Sequence, residues 1–325
     1  MDTAVSVIVP VFNREREIGA CIKSLINQTL ENIEIIIVND GSTDNTLSAA
    51  KSIDDERITV LSQPNSGQGI ARNTGMAAAG GEYIAFVDSD DTVEREMLEA
   101  MYKKAKTENA DIVQCNISDI YPNGKKTVQL APFDATVDIT DKGEYTDKYF
   151  STCRHSYEVC NKLFRKRMID DSGVKFRDTR KYFSEDLLFN LEIIDHIKRI
   201  SFISEPYYNY YQSEGSHFHS GAERRLAAIC DLFADYSANA DEIMKSAVSY
   251  TAAMVIIYNA GFCVDTHTAA ARRTLSSRTM RQYIKNALAR KCRLKHRIFL
   301  TAMYAAPVNI RMNLAKRYSN KWNGE

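Results

Sequence analysis

The sequence has no CxxC pair, and its seven cysteines are an odd number scattered from Cys21 to Cys292. Neither a disulfide framework nor a zinc site is expected from such spacing. No apolar run approaches the roughly 20 residues that span a bilayer. The longest late stretch, Ile298 to Val308, is short and contains Pro307. The chain enters an apolar stretch within five residues of Met1, without a basic region or cleavage site, so no signal peptide is expected. A reduced, cytoplasmic protein is the expectation. GxxxxGK[ST] is missing, and no GxGxxG turn follows the first strand pattern. P-loop enzymes and dinucleotide-dependent dehydrogenases are thereby disfavoured. There is neither an internal repeat nor a low-complexity linker.

Net charge is absent too: 42 basic residues balance 42 acidic ones. The distribution is informative. Between Arg272 and Lys321 there are fourteen Lys or Arg and no Asp or Glu, leaving 28 basic against 41 acidic residues before Arg272. A basic tail on an acidic body suggests an anionic partner for the tail. Arg281, Arg290, Arg293, Lys295 and Arg297 interleave with Ile284, Leu288, Leu294, Ile298 and Phe299. Such a segment suits either an anionic membrane surface or packing on the acidic body.

What is present is a strand–helix alternation over the first ~110 residues. Val5–Val11 and Ile33–Val38 are nearly continuous β-branched apolar runs, as in parallel strands buried on both faces. Helices are expected over Glu15–Asn27, Gly67–Ala79 and Glu94–Glu108, with short strands at Ile58–Leu61 and Tyr83–Val87. An α/β sheet with right-handed crossovers follows. Asp111–Ile120 reads as one more strand, Pro122-Asn123-Gly124 as a turn, and Ser184–His196 as a helix. Ile200–Ile203 and Tyr207–Tyr211 read as short strands, and from Gly221 onward the pattern is helical.

Two acidic clusters follow strands: Asn39-Asp40-Gly41-Ser42 and Asp88-Ser89-Asp90-Asp91. Ligands of open α/β sheets collect beyond the carboxyl ends of strands. Carboxylates two residues apart in extended chain share a side. Asp88 and Asp90 could thus hold Mg²⁺ or Mn²⁺ against a diphosphate. Helix capping is the competing account, and Asp91-Thr92-Val93-Glu94 forms a capping box that assigns Asp91 to it. Asp40 and Ser42 equally suit a turn and an N-cap, Pro10 a strand end, and Arg72 a solvated charge.

VSVIVPVFN (5–13), IIIVNDGSTDNT (35–46), GIARNTGMAAAGGEYIAFVDSDD (69–91) and SEDLLFN (184–190) occur in that order. Together they resemble the inverting glycosyltransferases of family 2, over about the first 215 residues, and most closely the bacterial members that build surface polysaccharides. The resemblance implies a GT-A fold: a Rossmann-like, mostly parallel sheet flanked by helices. Residues 1–220 would be catalytic, with a nucleotide-sugar half (1–115) and an acceptor half (116–220). Residues 221–325 would be a helical extension with the basic tail.

The same resemblance implies site roles. Pro10 and Phe12 would lie beside the donor base, usually uridine, and Asp40 would hydrogen-bond uracil. Arg72 would sit near base and phosphate. Asp88 would contact ribose or sugar, Ser89 would join the donor site, and Asp90 would be the principal ligand of Mn²⁺ or Mg²⁺. Asp186 would be the base, supported by Glu185. Both also suit a helix first turn by charge alone. The helix start and a nearby metal-diphosphate would favour ionised Asp186. His217 is a further metal-ligand candidate, with an exposed loop histidine as the alternative. Asn161–Arg165, NKLFR, is similar to a segment of these bacterial members and reads as structural. QxxRW, found in processive members, is missing, which favours single-sugar transfer.

The expected activity is transfer from a UDP-sugar to an acceptor hydroxyl, with a saccharide, free or lipid-linked, as acceptor and no nucleic-acid partner. A silent nucleotide- or sugar-binding module on this fold is the alternative. A nucleotidyltransferase fits less well, because PVFNRERE is not a glycine-rich basic loop.

Overall fold

A computed structural model describes residues 3–150, 152, 154–182, 184–212, 222–289 and 294–322. Contacts divide the chain into two compact units. The first comprises Met1–Thr140, Tyr157–Lys181 and Glu185–Glu214; the second comprises Asp141–Ser156, Tyr182–Ser184 and Gly215–Glu325.

In chain order, the first unit begins β1 (Val5–Val11), α1 (Ile18–Ile26), β2 (Ile33–Asn39), α2 (Thr46–Lys51), β3 (Ile58–Ser62), α3 (Gln68–Ala78) and β4 (Tyr83–Phe86). It continues β5 (Thr92–Val93), α4 (Met97–Glu108), β6 (Ile112–Gln114), β7 (Ile117–Ile120), β8 (Lys126–Val128) and β9 (Ala135–Asp138). After α5 (Lys142–Tyr145) of the second unit come β10 (Lys162–Arg165), α6 (Lys166–Ser172), α7 (Glu185–Ile193), β11 (Arg199–Phe202) and β12 (Tyr208–Tyr211).

The described residues form an eight-stranded sheet, β3-β2-β1-β4-β10-β6-β11-β9, and a four-stranded one, β5-β12-β7-β8. The first four strands are parallel, while β10 runs antiparallel to both β4 and β6. All seven residues of β1 are buried. That is why its apolar run is continuous rather than alternating. Helix α3 lies close on β1 because of Gly75: a Cβ there would meet Ile8 Cγ2 at 2.4 Å. Gly80 and Gly81 follow the helix end, as expected.

Two local expectations fail. Asp111–Ile120 is not one strand. It divides at Cys115-Asn116 into β6 and β7, which belong to different sheets. The Asn116 side chain stabilises the break, bonding Ile117 N, Leu130 N and Leu130 O. Asp91 caps no helix, since α4 begins only at Met97. Chain pairing outcompetes the local capping signal: Thr92 and Val93 join β12 instead. NKLFR is part of the large sheet, as its structural reading has it, and its Lys162 is fully buried there.

The second unit is helical among its described residues. After α5 and one π-helical turn, Thr146–Phe150, come α8 (Ala222–Asn239), α9 (Glu242–Thr266), α10 (Thr268–Ser276), α11 (Arg278–Ala289), α12 (Leu294–Ala305) and α13 (Val308–Trp322). Helix α9 is the core, packed against α8, α10, α11 and α13. By length and composition it could cross a membrane, but 78% of its most apolar window is buried. Its interspersed Ser, Tyr, Thr and Asn keep it from reading as an apolar run. Met280, Tyr283, Ile284 and Ala287 of α11 are buried, so that apolar stripe serves the unit's own core.

Candidate active site

The loops after β1 and β2 are laced together. Asn13 has a left-handed backbone, φ 50°, a conformation asparagine tolerates better than most residues. Its Oδ1 accepts from Thr43 N at 2.8 Å, and its N–H donates to Ser42 Oγ at 3.0 Å. Pro10 is buried inside β1, paired with Val38, so it does not end the strand. Phe12, just beyond, is 43% exposed. An exposed aromatic ring at the carboxyl edge of the sheet is available for stacking.

Asp40 is buried and fully engaged. Oδ1 accepts from Gln63 Nε2 at 2.7 Å and from Ser66 N at 2.9 Å; Oδ2 accepts from Gly67 N at 2.8 Å. This carboxylate shapes the loop between β3 and α3. Gly41 permits the close approach: its φ is +75°, and a Cβ would stand 2.7 Å from Asn65 N. Directly after Gly67, Gln68 Nε2 donates to Asp88 Oδ1 at 2.8 Å. One short segment therefore touches both acidic clusters.

Asp88 and Asp186 meet on a single guanidinium. Arg72, on α3, is 1% exposed. Its Nη2 donates to Asp88 Oδ1 and its Nη1 to Glu185 Oε1, each at 2.9 Å, and Nη1 also donates to Asp186 Oδ1. Its Cζ lies 5.2 Å from the ring centroid of Phe176, which stacks on Phe189 at 4.1 Å. Arg72 is thus not a solvated charge, and both of its terminal nitrogens are occupied by carboxylates. Burial alone would lower its pKa, but Asp186, Asp88 and Glu185 more than offset that and raise it.

One guanidinium faces three carboxylates, which leaves negative charge in excess. Burial pushes Asp186 upward, with Glu185 and Asp88 adding to it and Arg72 opposing. Glu185 is also raised, by burial first and then by Asp88, with Arg72 opposing. Within the chain alone, desolvation and the two acidic neighbours thus oppose the ionised form that the helix terminus and a metal-diphosphate would favour. Asp186 does open α7, and 26% of its side chain remains exposed.

The loop after β4 is held from below by Tyr208 of β12. Its hydroxyl accepts from Asp88 N at 3.1 Å and donates to Asp91 Oδ2 at 2.8 Å. Tyr211 N donates to Asp91 Oδ1 at 2.9 Å. Burial, then Asp88, pushes the Asp91 carboxyl up to about 8. Ser89 is buried. Asp90 points to a more open region and pairs with Arg14 at 3.2 Å; burial and Asp88 raise it, while Arg14 opposes. Gln68, Arg14 and Tyr208 were not singled out by sequence, and only Tyr208, in an aromatic run, left a signal.

Among the described residues, no group of three or more His, Cys, Asp or Glu is arranged to hold a metal. Asp88 and Asp90 stand two residues apart beyond β4, and burial first, then Asp88, raises the Asp90 carboxyl. Such a pair fits a hard divalent cation that takes its remaining ligands from substrate oxygens and water. His217 lies outside the described residues.

The family model for glycosyl transferase family 2 matches residues 6–173, more than half of the chain. The chain belongs to that family. A putative glycosyltransferase EpsH of Bacillus subtilis is 37% identical over 211 residues, covering 64% of this family 2 chain and 60% of its own. The Staphylococcus aureus poly(ribitol-phosphate) beta-N-acetylglucosaminyltransferase TarP is 32% identical, covering 64% and 62%. The matches thus span about three fifths of these relatives. Residues 1–349 of S. aureus TarS, crystallised with UDP-GlcNAc, superpose with a TM-score of 0.71 at 21% identity, covering 99% of this chain and 92% of that one. This likeness supports the GT-A fold: a mixed α/β sheet with flanking helices and a helical C-terminal region.

Proposed function

We propose that this family 2 protein is an inverting glycosyltransferase that moves one sugar from a UDP-sugar to a saccharide hydroxyl in bacterial surface-polysaccharide synthesis. One observation carries the reading: Asp88, beyond strand β4, and Asp186, opening α7, share the Arg72 guanidinium. A donor-side carboxylate and a candidate base thereby stand in one buried cluster. TarS in complex with UDP-GlcNAc and the name of TarP support a nucleotide-sugar donor and a polymer acceptor. Residues 1–115 supply the nucleotide-sugar half and 116–220 the acceptor half, with 221–325 as the helical extension.

In the mechanism, Asp186 accepts the acceptor proton as that oxygen bonds to the anomeric carbon. The bond from that carbon to the diphosphate oxygen breaks, and its electron pair leaves with UDP. Attack opposite the leaving group inverts the configuration. Asp90, with Asp88, would hold Mn²⁺ or Mg²⁺, which when bound offsets the charge on the departing diphosphate. Phe12 lies beside the uracil ring and Asp40 orders the adjoining loop.

In the helical unit, Ile298, Tyr304 and Ile310 of α12 and α13 are exposed large apolar side chains, and Lys295 and Arg297 of α12 are exposed too. This hairpin, rather than the apolar face of α11, is the surface we assign to an anionic bilayer on the cytoplasmic side, near a lipid-linked acceptor.

The test is a screen of UDP-sugars with saccharide acceptors, scored for Mn²⁺-dependent UDP release and product. Asp186→Asn should retain donor binding and lose transfer by at least ~10²-fold. Metal-dependent donor binding with no transfer or hydrolysis by the wild type would favour the silent module instead.

A further inference from the structure

The Arg72 cluster holds more than a transferase needs for donor binding. Nη1 is shared by Glu185 and Asp186, while Nη2 is spent on Asp88. The bond to Asp186 falls on Oδ1. Among the described residues, Oδ2 of Asp186 accepts no hydrogen bond, and the side chain is partly open. The guanidinium is itself fixed by its aromatic floor, Phe176 on Phe189, and its Nε is buried without a partner among the described residues. A buried arginine with an unsatisfied nitrogen is costly. The ion pairs on its other two nitrogens offset that cost and orient the group.

We infer that Arg72 is the positioning residue of the catalytic base: it pins one oxygen of Asp186 and presents the other, Oδ2, to the acceptor hydroxyl. The inference rests on the transferase reading. It assigns Arg72 to the acceptor's proton rather than to the donor's phosphate. The planar guanidinium reaches Asp186 through Nη1 and Asp88 through Nη2 at once, a fixed spacing that the single ammonium of a lysine cannot reproduce. In this role Arg72 acts through Asp186 and touches no reacting atom. Its second hand, on Asp88, supplies a counter-hypothesis in which Arg72 serves donor binding.

A double-mutant cycle separates the two roles. Arg72→Lys keeps the charge but cannot hold Asp88 and Asp186 together. At saturating donor and metal, it should lower kcat by ~10- to 10²-fold with little change in donor KM. Once Asp186→Asn has removed the base, the same change should cost less than ~3-fold, because the two positions act as a unit. Phe176→Leu removes the floor without touching a charge. It should show the same dependence on Asp186 with a smaller effect, so the test survives if Arg72→Lys fails to fold. Equal losses in both backgrounds, or a loss confined to donor KM, would overturn the role of Arg72 while leaving the transferase intact. A wild type that transfers nothing would overturn both.

Discussion

Asp40→Asn tests whether the first acidic cluster is architecture or only base recognition. The native carboxylate accepts three hydrogen bonds, from Gln63, Ser66 N and Gly67 N. An amide can keep the two on Oδ1, but its NH₂ must then face the Gly67 N–H, donor against donor. One orphaned donor costs ~1–3 kcal/mol, and the surviving bonds lose their charge assistance, ~0.5–1 kcal/mol each. Asp40 is 3% exposed, so water replaces the lost partner poorly without loop movement, although Ser66 and Gly67 are only half-buried. The sum is a destabilisation of ~2–5 kcal/mol. Urea denaturation should show a lower midpoint at unchanged slope. Donor KM should rise by a similar factor for uracil and non-uracil nucleotide sugars, since the loop also carries Gln68 to Asp88. An unchanged urea midpoint would refute the reasoning. A loss of affinity restricted to uracil donors, at wild-type stability, would show that the carboxylate reads the base alone.

Asp90→Ala should abolish Mn²⁺-dependent donor binding and transfer, as judged by calorimetry and UDP release; full activity with the metal still required would remove Asp90 as a ligand. Lys162 is fully buried, and burial lowers its pKa to about 8, Glu158 opposing. The unfolded chain therefore binds more protons between ~8 and ~10.5, and wild-type stability should rise with pH across that window, by up to ~3 kcal/mol. Urea titrations at several pH values should show Lys162→Met lacking that rise; parallel curves would contradict the buried charge. Replacing Ile298, Tyr304 and Ile310 by Ser should reduce sedimentation with anionic liposomes at least several-fold while sparing donor hydrolysis. Equal sedimentation, or none by the wild type, would reject that hairpin as a lipid surface.

The parts legible in the sequence are those set by local pattern. Val5–Val11 and Ile33–Val38 read as buried parallel strands because burial on both faces leaves no polar alternation. Helix α3 reads from its glycines, and Asp186 at the start of α7 from charge and motif. What escaped depends on distance along the chain. The partners of Arg72 lie 16, 113 and 114 positions away, so its role as a shared counter-ion has no local signal. Asp91 read as a cap because its neighbours suit one, yet pairing of Thr92 and Val93 with β12 pulled the chain into a sheet. For Asp186, the sequence showed only the helix start, which favours its ionised form. The opposing terms, burial and neighbouring acids, exist only after folding.

The central claim is a single displacement assisted by Asp186, and the anomeric configuration of the transferred sugar tests it most directly. Proton NMR of the product, recorded before any mutarotation, reports that configuration through the anomeric coupling. The account predicts the configuration opposite to that of the UDP-sugar. A product of retained configuration would contradict it, whatever Asp186→Asn does to the rate.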